Sequence, residues 1–241
     1  MNGRVLWVGV GLLCAAGCGN LSARVVQVAD ESPDVRREAV TDIGSSGRAK
    51  RSDKLAELLC LVARNDRDPM VRAAAAQSLG NAKGPQVIET LIYVLANDKS
   101  LYPRADAARS LGRHTAPEGL GPLLVALRTD PELDVRLAAA DALRNYKDLA
   151  AAEGLADQVE ASSIALAHAC WVNLRYMTGQ DLPRAVAPWR EFLASSEKPF
   201  KRYGHPPPLP QGRSQRPHMT QGVGDFVKDL FKQDPSEAEL K

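Results

Sequence analysis

The sequence predicts an all-α protein, a right-handed α-solenoid of about five repeating two-helix units followed by a disordered C-terminal tail. Two observations predict this fold. Four segments align without gaps from Asp30, Asp66, Asp98 and Asp130, with starts 36, 32 and 32 residues apart. Aromatic residues make up only 5% of the chain and alanine recurs in the aligned segments, a mixture that suits close-packed helices better than β-sheets. Because a pair of antiparallel helices cannot bury its apolar face alone, neighbouring pairs must stack.

The composition excludes few functions. The 241 residues are 44% apolar and 25% charged, which is enough to bury a core. A formal charge of +2 is too small to indicate a nucleic-acid partner or an acidic substrate.

Residues 1–17 have the order of a secretory signal peptide. Arg4 precedes the apolar run Val5–Leu13, and the small residues Ala15-Ala16-Gly17 precede Cys18. A helix needs roughly 20 apolar residues to cross a membrane, so this shorter run predicts no transmembrane anchor.

The tetrapeptide Ala15-Ala16-Gly17-Cys18 resembles the lipobox of bacterial lipoproteins, although the usual leucine is Ala15 here. The resemblance implies that Cys18 is acylated, becomes the first mature residue and anchors the chain through several acyl chains. An aspartate directly after the cysteine would resemble the retention signal for the inner membrane. Gly19 stands there instead, which favours the periplasmic face of the outer membrane. The alternative is ordinary cleavage after Ala16. Residues 18–29 would be a lipid-anchored linker with a reach of at most ~40 Å, which places the solenoid near its membrane.

The aligned segments predict the first helix of each unit. Three buried columns share one helix face: Val35, Val71 and Val135; Ala39, Ala75, Ala107 and Ala139; Ile43, Leu79, Leu111 and Leu143. Ser32-Pro33 and Asp68-Pro69 predict helix starts, with an N-cap followed by proline. Gly44, Gly80 and Gly112 are predicted to close the helices in the left-handed conformation.

A second helix follows in each unit, predicted at residues 55–64, 87–97, 120–128 and about 150–160. Its apolar columns also repeat, with one position held by Leu59, Leu91, Leu123 and Leu155. A degenerate fifth unit begins near Ile164, where Leu166, Cys170 and Leu174 continue the core columns. The predicted solenoid covers residues 30–194.

The pattern D-x-x-P-x-V-R-x-x-A-A-x-x-L-G resembles the short HEAT repeats of the phycobilisome-lyase type, over about residues 30–161. In that family the arginine of the pattern pairs with acidic and carbonyl groups of adjacent units. The resemblance implies a structural ladder, and a ladder that binds an anionic ligand is the alternative. Its members are Arg36, Arg72, Arg104 and Arg136.

Nothing in the sequence predicts a catalytic residue, a metal site, a cofactor or a small-molecule substrate. HEAT-like hydroxylases bind iron through His-Glu dipeptides, and none of the histidines precedes a glutamate: His114, His168, His205 and His218. A chromophore lyase would need a bilin pocket. Nothing in the sequence beyond the repeats supports such a pocket. Cys60 and Cys170 are predicted to be buried thiols in distant units, too far apart for a disulfide.

The exposed face of the second helices is the predicted protein-binding surface, since solenoids commonly bind partners on a concave face. A merely solvated face is the alternative. Its polar and aromatic members are Glu57, Glu89, Tyr93, Arg128, Glu153 and Asp157.

Residues 195–241 are predicted to form a basic, proline-rich tail containing Pro206-Pro207-Pro208. Near residues 223–232 the tail is amphipathic, with Phe226, Leu230 and Phe231 on one helical face. This helix would either dock a partner or fold back on the solenoid.

Together these features predict a membrane-tethered protein-binding scaffold of the bacterial envelope, anchored through lipid on Cys18. Its partners would be envelope proteins. The alternative is a HEAT-type enzyme or lyase subunit, hydroxylase-like or chromophore-lyase-like, that acts on a protein substrate.

Overall fold

The computed structural model describes residues 19–47 and 49–208, which contain eleven helices and no strand. After α1 (Gly19–Gln27), first and second helices alternate in five units, so the predicted all-helical solenoid is confirmed. The first helices are α2 (Pro33–Ser45), α4 (Pro69–Leu79), α6 (Leu101–His114), α8 (Leu133–Leu143) and α10 (Ile164–Thr178). The second helices are α3 (Asp53–Asn65), α5 (Pro85–Asn97), α7 (Pro117–Thr129), α9 (Leu149–Ala156) and α11 (Val186–Ser195).

The predicted core columns are buried. Each alanine of the first-helix column is fully shielded from solvent, and so is each leucine of the corresponding second-helix column. These residues are Ala39, Ala75, Ala107 and Ala139, and Leu59, Leu91, Leu123 and Leu155. In the fifth unit Leu166, Cys170 and Leu174 continue the same core, as predicted. One apolar core therefore runs through all five units.

The helix starts depend on aspartates more than on serines. Pro33 and Pro69 begin their helices as predicted, and the Asp68 carboxylate accepts bonds from two amides of the first turn. The Ser32 hydroxyl, in contrast, makes no capping bond to the described residues. The Asp30 carboxylate instead accepts a bond of 2.8 Å from the Ser32 amide and holds the turn before the helix.

The recurring glycines do not have the predicted role. Gly44 and Gly112 lie inside α2 and α6, and Gly80 follows α4 with a right-handed φ of −61°. Each faces the next first helix, and a Cβ atom on Gly112 would lie 2.7 Å from the Cα atom of Ala142. The prediction was wrong because helix closure and close helix packing both select glycine, and only the structure separates them.

The segment after Cys18 is not an extended linker. Residues 19–27 form α1, which packs against α2. Val25 and Val28, only 4% and 3% exposed, join the core. The predicted linker is therefore wrong from Gly19 onward, because the first unit would otherwise leave an apolar face open to water.

The solenoid also extends beyond its predicted C-terminal boundary at residue 194. Phe200 and Tyr203 pack against the core, and the Tyr203 hydroxyl donates a bond of 3.1 Å to the Arg144 carbonyl. Among the described residues, those up to Pro207 form one compact unit. The basic, proline-rich composition of the segment concealed the packing of these two aromatic side chains.

Several predictions lie outside the described residues. These are the signal peptide, the acylated Cys18 and the amphipathic tail helix with Phe226, Leu230 and Phe231. Within the described ranges, no helix is both long and apolar enough to span a membrane.

Candidate functional site

The recurring arginines form bidentate ion pairs with the aspartate of the following unit. In the first pair, Nε and Nη2 of Arg36 donate to the Asp66 carboxylate at 2.9 and 2.8 Å. The same two atoms of Arg72 reach Asp98 at 2.7 and 2.8 Å. Those of Arg104 reach Asp130 at 2.9 and 2.8 Å. The third guanidinium nitrogen, Nη1, donates to the carbonyl of the preceding aspartate in each unit, at Asp30, Asp66 and Asp98.

Each aspartate of this ladder is fully used. Besides its arginine, the Asp98 carboxylate accepts a bond of 2.9 Å from the Ser100 amide. Burial would raise the pKa of Asp98, but the bonds from Arg72 and from that amide hold it below its usual range. The hydrogen-bonded carboxylate of Asp66 in turn raises the pKa of Arg36. Because donors and acceptors are matched inside the fold, these rungs join repeats and present no free charge to a ligand.

The ladder ends at Arg136. Its Nη1 atom reaches the Asp130 carbonyl at 3.3 Å, but the next unit has Ala161 where an aspartate would stand. Its Nε atom is buried with no partner among the described residues. Arg136 therefore shares the carbonyl bond of the ladder but lacks the bidentate pair.

The predicted binding residues lie on the second helices and form two separate groups. On α3 and α5, the Arg64 guanidinium lies 4.8 Å from the centre of the Tyr93 ring and pairs with Glu89 at 3.1 Å. Farther along, Asp157 is half-buried and accepts a bond of 2.7 Å from Arg190. Arg128 is exposed and lies 3.9 Å from the same Asp157 carboxylate. The remaining predicted members, Glu57 and Glu153, are exposed.

An exposed apolar row on the same helices escaped the sequence analysis. Leu61, Tyr93 and Val125 occupy the same position in three successive units and are 45%, 48% and 60% exposed. Their spacing of 32 residues was the available signal. The predicted surface contained only polar and aromatic positions, so it included Tyr93 but neither Leu61 nor Val125.

An open groove lies on the first helices, where it has a volume of about 470 Å³. It crosses α2, α4 and α6, and its floor contains Met70, Ala73 and Ala74. Acidic side chains line it: Asp34, Glu38, Asp42 and Asp106.

The first helices also form the more closely packed row. Neighbouring first helices contact each other more extensively than neighbouring second helices do. Alanine and glycine at the contacts permit this approach. The assignment of the protein-binding surface to the second helices stays a prediction.

Metal-ligating side chains and thiols are dispersed or buried within residues 19–47 and 49–208. Within these ranges, no three His, Cys, Asp or Glu side chains lie close enough together to hold a metal ion. Cys60 and Cys170 are free, buried thiols. Burial raises the pKa of Cys170 to about 12, which suppresses the reactive thiolate.

Comparison with known families gives one result. A family model for HEAT repeats matches residues 22–101 and 88–172, most of the stack described above. No curated protein matches the chain.

Proposed function

The chain belongs to the HEAT-repeat family, and from this premise we propose that it is a membrane-tethered scaffold that binds proteins in the bacterial envelope. The proposal rests on a difference between paired and exposed side chains. The Arg–Asp ladder is consumed within the stack, whereas the groove on the first helices and the apolar row on the second helices stay open to solvent. Such a stack offers surfaces for proteins rather than an enclosed pocket for a small molecule.

The proposed tether is a lipid on Cys18. Its lipobox-like sequence supports this assignment, and α1 begins at the next residue. Because α1 packs on the first unit, an acylated Cys18 would hold that end of the stack close to the membrane. We therefore propose envelope proteins as partners and the periplasmic face of the outer membrane as the location. The short repeat type shared with phycobilisome lyases belongs to the same proposal and has its support in the Asp and Arg columns.

HEAT repeats typically form scaffolds without enzymatic activity. No feature of the described residues favours the hydroxylase-like or lyase-like alternative. We therefore propose the scaffold in preference to an enzyme or lyase subunit.

Metabolic labelling with a radioactive fatty acid tests the tether. We expect label on the native chain and on a Cys60→Ala control, which loses a cysteine elsewhere, and none on Cys18→Ala. The native chain should also sediment with membranes. Unlabelled native chain in the soluble fraction would overturn the tether.

Crosslinking in intact envelopes tests the scaffold. The native chain should yield one recurrent envelope protein across preparations, and Cys18→Ala should yield less of it because it is no longer held at the membrane. Recovery of no recurrent partner with the native chain would contradict the proposed function.

A further inference from the structure

The groove on the first helices exists because the second unit carries an alanine, Ala74, at a partly exposed position where the neighbouring units have longer side chains. Arg37 and Glu38 of the first unit correspond to Ala73 and Ala74 in the second. Ala74 therefore leaves a depression between the longer side chains Glu38 and Asp106, which occupy its position in the neighbouring units.

The floor of this groove is apolar. Met70 is 40% exposed beside Ala73 and Ala74. Tyr102 occupies the position of Met70 in the next unit and is 53% exposed. Thr41 and Gln77 also line the groove, so its apolar part is confined to Met70, Ala73 and Ala74.

One wall of the groove is a line of acids. Asp34, Glu38 and Asp42 follow one another at four-residue intervals on α2, so they lie along one side of that helix. Their side chains are 81%, 66% and 45% exposed. Asp106 lies on the α6 side.

Carboxylates outnumber the cations that pair with them. Arg37 pairs with Asp34 at 3.0 Å, Arg109 with Asp106 at 2.8 Å, and Arg24 with Asp42 at 2.7 Å and Glu38 at 3.2 Å. Three arginines thus pair with the four acids, and Arg113 adds its charge near Asp106. Of the charged side chains that line the groove itself, four are acidic and one, Arg37, is basic. Their ion pairs are partly exposed and weak, so cations of a ligand can compete for these carboxylates.

We infer that this acidic groove binds a short basic segment of a partner protein, with lysine or arginine along the α2 wall and an apolar residue on the Met70–Ala74 floor. The inference rests on the proposed function and names the chemistry of the partner. Neighbouring helix axes lie about 8–10 Å apart, so a groove across three helices spans roughly 20 Å. An extended segment of about six residues covers that length.

Fluorescence anisotropy with the purified full chain tests the inference. The probe is a labelled peptide of about ten residues that alternates lysine with leucine, long enough to cover the groove. Its counterpart has glutamate in place of lysine. We expect only the lysine peptide to bind, and to bind less tightly at about 1 M salt, where exposed charges are screened within ~3 Å.

Two groove variants probe different parts of the site. Glu38→Lys with Asp42→Lys reverses the wall, and Ala74→Gln fills the floor without changing the charge. Gln at this position is compatible with the repeat, since the neighbouring units carry Glu38 and Asp106 there. The matched control is Glu160→Lys with Glu197→Lys, which changes the net charge equally at two exposed positions near the C-terminal end of the stack. Each groove variant should weaken binding about tenfold or more, and the control by less than about twofold.

The outcomes separate the two proposals. Equal binding of the glutamate peptide, or native affinity in both groove variants, overturns the acidic groove as the site. If the groove variants still crosslink the same envelope partner as the native chain, this inference fails and the scaffold stands. If the native chain captures no recurrent partner, the proposed function fails even where the peptide binds.

Discussion

The two ends of the solenoid close the same core in different ways. At the N-terminal end, α1 covers the first unit with Val25 and Val28, and its Arg24 makes only partly exposed ion pairs. At the C-terminal end, the core is covered by Trp171 and Trp189, which are 8% and 0% exposed.

Hydrogen bonds lock the C-terminal closure in place. The indole N–H groups of Trp171 and Trp189 donate to the carbonyls of Leu182 and Pro183 at 2.7 and 2.9 Å. Arg175, 1% exposed, stacks on Trp171, pairs with Asp181 and donates to the Pro207 carbonyl. Because a repeat stack unfolds from its weaker interfaces, we expect the N-terminal end to open first.

Removal of the largest buried side chain should destabilise the C-terminal end of the stack. Trp189→Ala should lower the free energy of unfolding by about 3–5 kcal/mol, because it leaves a cavity and frees the Pro183 carbonyl. Urea denaturation followed by circular dichroism measures the change. Ile164→Ala, at a side chain 80% exposed on the same end, is the control and should change little. A loss below about 1 kcal/mol for Trp189→Ala would contradict the assigned role.

The centre of the stack provides a reference for both ends. Arg104→Ala should cost about 3 kcal/mol, because it leaves the buried Asp130 carboxylate without its bidentate partner. Arg136→Ala should cost about 1 kcal/mol, since Arg136 makes one carbonyl bond and no such pair. The same denaturation measurement tests both, and equal losses would show that the ladder does not depend on the aspartates.

Truncation of a buried side chain in α1 should destabilise the N-terminal end of the stack. Val25→Ala should lower stability by about 1.5 kcal/mol, in proportion to the buried methyl groups removed. Hydrogen exchange should speed up in α1 and α2 before it changes near Trp189. Arg24→Ala, which removes exposed ion pairs, should cost less than about 1 kcal/mol. Uniform exchange along the chain would show that the ends are equally stable.

Acid should loosen the centre more than the apolar closures. The folded pKa of Asp98 lies below its unfolded value of about 3.9, so its contribution is present above that value and disappears as pH falls through the folded pKa. Urea midpoints measured between about pH 5 and pH 2 should fall for the native chain, and less steeply for Asp98→Asn. Parallel curves for the two proteins would exclude Asp98 as a source of the pH dependence.

Prediction from sequence succeeded where one physical requirement recurs in every unit. The alanine column ending in Ala139 and the leucine column ending in Leu155 are buried because a helix face at the same spacing meets the same neighbour each time. The Arg–Asp ladder followed from the family resemblance and from aspartates in step with the arginines, and three of its four rungs form. The fourth fails at Ala161, a departure visible in the sequence.

Prediction failed where a residue type serves two purposes or where a segment has no repeat to compare with. Gly112 is needed for the approach of Ala142, which lies 30 residues away, rather than for helix closure. The acidic groove depends on alanines in α4 lying between longer side chains of two other helices. The segments around Val25 and Tyr203 occur once each, so no column revealed their burial.

The sequence by itself determined the helical repeat, its core columns and the recurrence of charged pairs, because these depend on spacing along the chain. Only the tertiary structure decided which helix row makes the more extensive contacts, which surface becomes the groove and what covers the N-terminal end. The physical reason is that helix separation and core closure depend on contacts between side chains from distant parts of the chain. Whether these side chains fit together is determined only when the units stack.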